Sequence, residues 1–152
     1  MNHSHEYHAA VLAAFAEFIL ESLLVPGLKQ WSGFKTTMAY LAFFFQFIRT
    51  LAMLTAGSNF NHIVQEHKHQ GHVLVKSGVY SILRHPAYTG FFYWALSLQL
   101  MLGNPICCVI YVVVLSKFFS ARIQDEEAAL IQFFGKEYQE YQQNTFILIP
   151  FL

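Results

Sequence analysis

Residues 87–119 read AYTGFFYWALSLQLMLGNPICCVIYVVVLSKFF, a run whose one charged residue is Lys117. Gly103-Asn104-Pro105 cuts it in two. Glycine tolerates the left-handed backbone of a tight turn, and proline suits the first turn of a helix but not its interior. The stretch therefore reads as two apolar helices, 87–103 and 106–119, folded back on each other as a hairpin. Strands are excluded because an open sheet edge cannot satisfy its backbone in lipid. Two further apolar stretches precede the hairpin. Residues 38–57 contain Gln46 and Arg49, and residues 9–25 contain Glu17 and Glu21 before Pro26-Gly27 ends them. At about 1.5 Å of rise per residue, each stretch with its flanks crosses most of a ~30 Å hydrocarbon layer.

Composition agrees with that environment. The 152 residues make one domain, 55% hydrophobic and only 12% charged, with 16 Phe. Mean hydropathy is +0.38. A soluble globule of this length cannot hide so much apolar surface, so the fold class expected is an all-α integral membrane protein with about four spans. Nine basic and nine acidic residues leave no net charge, which argues against a nucleic-acid partner. The only cysteines, Cys107 and Cys108, are neighbours in an apolar run, which rules out a disulfide framework. The His-rich beginning lacks the basic stretch of an ordinary secretory signal.

Four crossings place the N-terminus, the 58–86 loop and the C-terminal tail on one side. That side holds Lys68, Lys76, Arg84, Lys117, Arg122 and Lys136, against Lys29 and Lys35 opposite, a bias that makes the loop and tail cytosolic. Residues 117–134 keep apolar positions at helical spacing until Gly135, so the fourth span continues past the bilayer as an amphipathic tail helix. Arg122 and Glu126 share one face of it. Glu17, Glu21 and Arg49 are charges inside spans, expected to face the bundle interior and to pair with one another across two helices.

Three clusters could carry chemistry, all near the expected cytosolic face. Residues 65–75 include His67, His69 and His72, whose spacing matches no closed four-ligand metal site, so no metal is expected. Pro86 opens the third span, and the free amides of that helix start could take a carboxylate or phosphate; capping, with Arg84 anchored to headgroups, is the plainer alternative. Arg122, with Asp125, Glu126 and Glu127, could be an exposed helical pair or a two-pronged carboxylate holder where tail meets lipid surface.

The strings Asn59-Phe60-Asn61-His62-Ile63-Val64-Gln65, His72-Val73-Leu74-Val75, Gly78-Val79-Tyr80, Arg84-His85-Pro86-Ala87-Tyr88-Thr89-Gly90, Arg122-Ile123, Glu126-Glu127 and Phe133-Phe134-Gly135 stand in this order. With them, the chain resembles the isoprenylcysteine carboxyl methyltransferases from Asn2-His3-Ser4 to Ile149-Pro150-Phe151. The Arg-His-Pro-x-Tyr-x-Gly string alone is shared with membrane sterol reductases and phospholipid methyltransferases. The resemblance implies methyl transfer from S-adenosyl-L-methionine to the C-terminal carboxylate of a prenylated cysteine. Its substrates would be C-terminally prenylated, Ras-like CAAX proteins, met at the endoplasmic reticulum membrane with the active site facing the cytosol. It further implies a cofactor pocket of Gln65, His72, Val73, Leu74, Val75, Tyr80, His85, Pro86, Ala87, Tyr88 and Glu126, the 72–75 segment being strand-like. Arg122 would hold the substrate carboxylate, Arg122 and Glu126 would be the catalytic pair, and the prenyl chain would lie between the second span and the hairpin. Ala87 stands where the family usually has Ser, and Ser97-Leu98-Gln99 where it commonly has Gly-Thr-Gln. The chain resembles only the C-terminal part of the eukaryotic enzymes, whose N-terminal helices have no counterpart in it. Phospholipid N-methylation, an NADPH-dependent sterol reductase and a catalytically silent membrane subunit are the competing readings.

Overall fold

The computed structural model describes residues 4–60 and 73–152, with side chains from His8 onward except Leu28. Five α-helices account for most of them: α1 (Ser4–Leu24), α2 (Ser32–Ala56), α3 (Pro86–Leu102), α4 (Pro105–Phe134) and α5 (Lys136–Gln143). Short 3-10 turns at Pro26–Lys29, Gly57–Asn59 and Gly78–Ser81 punctuate the connections. The expected hairpin is present. Gly103 takes the left-handed backbone (φ 68°, ψ 41°) and closes α3 through its N–H, and Pro105 starts α4.

Two helices, Ser32–Asn59 with its terminal turn and Pro105–Phe134, are long and apolar enough to cross a membrane, yet only 11% and 22% of their apolar windows are buried inside the protein. A soluble core helix would be mostly buried. Helix α2 makes the inversion plain: Ala42, Ala52 and Ala56 pack inward, whereas Phe43, Phe44, Phe47 and Leu54 point out. Small residues inside and large apolar ones outside is the arrangement lipid favours. The spans expected at 9–25 and 38–57 begin earlier as helices, because polar flanks such as Thr36 and Thr37 extend the backbone ladder whatever solvent they face. The stretch expected as a fourth span and the tail expected after it form one unbroken helix, α4. Helix α5 was not expected: its sequence is polar, and its one clue is Tyr138 and Tyr141, both buried, at helical spacing.

Helices α2 and α3 pack closest, and Gly90 is the reason. A Cβ there would meet Phe45 O at 2.8 Å and Arg49 N at 2.9 Å. Any side chain would force the two backbones apart. A small core of Phe92, Phe119, Ile123 and Ile149 then joins α3, α4 and the C-terminal segment.

Glu17, Glu21 and Arg49 do not pair with one another as expected. Glu17 instead accepts the first amides of α4, Ile106 N and Cys107 N, both at 2.7 Å. Glu21 pairs with Lys29 at 2.6 Å. The same ammonium donates to Leu102 O, Gly103 O and Asn104 Oδ1 at the end of α3. Asn104, fully buried, donates to Ala14 O at 2.9 Å. Arg49 lies 4.6 Å over the Phe91 ring. The physical reason is distance: Arg49 stands about 25 Å along α2 from the Lys29 end. The α1–α2 and α3–α4 turns thus meet at one end of the bundle, and the opposite end holds residues 73–85, the start of α3 and α5.

Candidate active site

At that second end the chain closes a cavity of about 680 Å³, counted out to its open mouth. Val73, Leu74, Val75, Tyr80, His85, Pro86, Ala87, Tyr88 and Glu126 all line it. Gln65 and His72, named with them from the sequence, lie outside the described residues, as do His67 and His69. Residues 73–75 belong to no strand, contrary to expectation; Val73 N donates instead to Asn59 Oδ1 at 3.0 Å. A strand needs a neighbour to pair with, and among the described residues the one bridge is Leu83 with Phe146.

That bridge ties the C-terminal segment to the loop. Arg84 N donates to Phe146 O, Phe146 N to Ile82 O, and the Tyr141 hydroxyl to Tyr80 O at 2.7 Å. Burial and the nearby Glu126 carboxylate push the Tyr80 phenol up to about 12, so it stays neutral across physiological pH. Behind the cavity Arg84 is not a headgroup anchor. Its Nε donates to Glu127 Oε1 at 2.6 Å and its terminal nitrogen to Thr145 O at 2.7 Å. Glu127 also meets His85 Nε2 and accepts from Gln142 Nε2. One carboxylate thereby joins the start of α3, the tail of α4 and α5, and fixes the cavity wall.

Helix α3 begins at this wall. Pro86 occupies its first position, and the amides of the opening turn have no intrahelical acceptor. They supply partial positive charge where an anion could dock.

Arg122 lines a second, mainly apolar cleft of about 580 Å³ with Arg49, Phe60, Ala87, Tyr88, Phe91, Phe118 and Phe119. Sequence reasoning gave Arg49 a structural role; its position on the cleft wall depends on the close α2–α3 approach at Gly90, which leaves no local pattern. Tyr88 belongs to both spaces. Its ring stacks between His85 and Phe119, at 5.6 and 5.2 Å between centroids. Its hydroxyl accepts from Arg122 Nε at 2.8 Å and donates to Glu126 Oε2 at 2.6 Å. A guanidinium on the apolar side and a carboxylate on the polar side therefore face each other across one phenol.

Residues 38–132 match the isoprenylcysteine carboxyl methyltransferase (ICMT) family. The chain belongs to this family. It is 47% identical over 152 residues to the protein-S-isoprenylcysteine O-methyltransferase of Xenopus laevis, covering 100% of this chain and 53% of that protein. To the Homo sapiens protein of the same name it is 47% identical, covering 54% of that protein. The Saccharomyces cerevisiae protein is 47% identical over 158 residues, with 66% of its length covered. A solved structure of a eukaryotic intramembrane Ras methyltransferase, ICMT, superposes with a TM-score of 0.95 at 42% identity, over 99% of this chain and 54% of the other. The chain thus spans about half the length of the frog and human relatives it matches. Membership fixes the membrane character of the fold; of the site positions named above from the sequence, those among the described residues line one or other of the two adjoining spaces.

Proposed function

We propose that this chain methylates the C-terminal carboxylate of prenylated cysteine, using S-adenosyl-L-methionine. The observation that carries the reading is the Arg122–Tyr88–Glu126 arrangement, which sets a carboxylate-binding cation in an apolar cleft directly beside a polar cavity. That cavity fits the cofactor's chemistry. It offers helix-start amides for a carboxylate, Glu126 for a cationic group, and Tyr80 and Tyr141 as aromatic walls. When bound there, the cofactor supplies an electrophilic methyl on a sulfonium. Gln65, Val73, Leu74, Val75, His85 and Ala87 complete the proposed cofactor set with His72, Pro86 and Tyr88.

The chain's own task is positioning. A carboxylate is already ionised at neutral pH and needs no strong base, so orientation supplies most of the rate. Arg122 binds it with charge-assisted hydrogen bonds. Phe91, Phe118 and Phe119 exclude water and give the prenyl chain an apolar bed between α2 and the hairpin. Arg49, on the same cleft, adds positive charge for the anionic end. The substrates are Ras-like proteins with prenylated CAAX termini, and the six-to-two bias of basic residues sets the site toward the cytosol at the endoplasmic reticulum membrane.

The test is transfer of labelled methyl to N-acetyl-S-farnesylcysteine by membranes expressing this chain alone. Base-labile label that disappears in Arg122→Ala is the expected result. Label fixed on phospholipid amines instead, or no transfer despite bound cofactor, would overturn the proposal.

A further inference from the structure

Arg122 and Glu126 stand four residues apart on α4, a spacing at which an arginine and a glutamate can reach each other directly. Direct closure would spend the substrate-binding cation on the cofactor-facing carboxylate. Here the Tyr88 hydroxyl stands between them, accepting from Arg122 Nε at 2.8 Å and donating to Glu126 Oε2 at 2.6 Å. A hydroxyl can do both at once, whereas neither charged group can.

The phenol is well held for this task. It projects from the opening turn of α3, its ring lies nearly parallel to His85, and Phe119 packs on it at 5.2 Å. The guanidinium carbon is 5.5 Å from the same ring's centroid, a cation–π contact. Of the five N–H donors on a guanidinium, the phenol takes the one nearest the stem. Fixing that atom fixes the plane of the group.

We infer that Tyr88 is a positioning residue: its hydroxyl keeps Arg122 and Glu126 from quenching each other and presents the guanidinium to the cleft, so that this one O–H sets the preference for a free carboxylate over its ester. The inference rests on the methyltransferase reading and adds to it the device by which unmethylated substrate is told from product. An ester carries no charge and one fewer strong acceptor, so it gains little from an oriented guanidinium. Both ligands share the prenyl chain and therefore the apolar bed.

The experiment measures binding of N-acetyl-S-farnesylcysteine and of its methyl ester to the full chain, with S-adenosylhomocysteine present to prevent turnover. Wild type is compared with Tyr88→Phe, Arg122→Ala and the double variant. Tyr88→Phe keeps the ring and its stacking. Wild type should favour the acid by about tenfold or more, the size of one charge-assisted hydrogen bond. Tyr88→Phe should bring the two ligands within about twofold by weakening the acid alone, and the double variant should lose no more than Arg122→Ala. Three results would overturn the inference: undiminished acid preference in Tyr88→Phe, parallel weakening of acid and ester, or losses that multiply in the double variant. Equal binding of acid and ester by wild type would strike instead at the carboxyl methyltransferase reading itself.

Discussion

The two ends of the helix bundle treat buried charge in opposite ways. At one end Glu17, Lys29 and Asn104 answer backbone, with Glu21 paired to Lys29: Glu17 takes the amides that open α4, and Lys29 takes the carbonyls that close α3. Acid sits at a helix start and base at a helix end, as the helix dipoles favour. At the other end Arg122 and Glu126 face open spaces and are joined by a single phenol. A charge inside a membrane protein is costly either way. What separates scaffold from site is whether a charged group is enclosed among backbone partners or also borders a space that something can enter.

The sharpest way to break this comparison is to exchange the readouts. Arg122→Ala should lower kcat/KM for farnesylcysteine methylation by about 100-fold or more, a loss much larger than its effect on thermal unfolding, because it removes the group that meets the reacting carboxylate along with a local contact to Tyr88. Glu17→Ala should do the reverse. It leaves one buried and one part-buried amide without an acceptor and costs about 1–3 kcal/mol, read as a lower unfolding midpoint, with the acid-over-ester preference intact. A Glu17 variant that keeps its midpoint but loses cofactor binding would collapse the distinction.

Smaller effects sharpen it. Gly90→Ala thrusts a methyl into the backbone of α2 and should cost about 1–3 kcal/mol. Because Arg49 is among the atoms struck, substrate KM should rise along with the loss of stability. Lys76→Ala sets the lower bound. Lys76 and Glu137 form a 2.6 Å pair, but each is about half exposed, at 47% and 52%. Its loss should change stability by less than about 0.5 kcal/mol. A larger cost would mean that loop and α5 depend on each other more than their surface pair indicates.

Much of this was readable in the residues, and what was missed shares a cause. The turn at Gly103-Asn104-Pro105, the continuation of α4 into the tail and the stop at Gly135 are local chemistry, set by the backbone preferences of a few neighbours. The lining of the cavity by Tyr80, His85 and Glu126 follows from strings that resemble a family. Glu17, by contrast, was matched to the wrong partner because its true partners are amides, which carry no letter in a sequence. Lys29 eluded assignment for the same reason, with carbonyls in place of amides. Arg84 and Glu127 meet from distant segments, and α5 offers only two tyrosines as its apolar stripe. Arg49 reached the cleft through a glycine on another helix.

Helix α4 runs without a break from the residues gripped by Glu17 to the face that carries Arg122 and Glu126. It is therefore an indexing shaft as well as a span. One residue added between its two ends would advance the far portion by only about 1.5 Å but turn it by about 100°, swinging both charges away from Tyr88. Lipid forgives a small change in length by tilting or thinning. The angular phase between anchor and site has no such tolerance, so the number of residues in this span is set by the chemistry at its end more tightly than by the thickness of the bilayer.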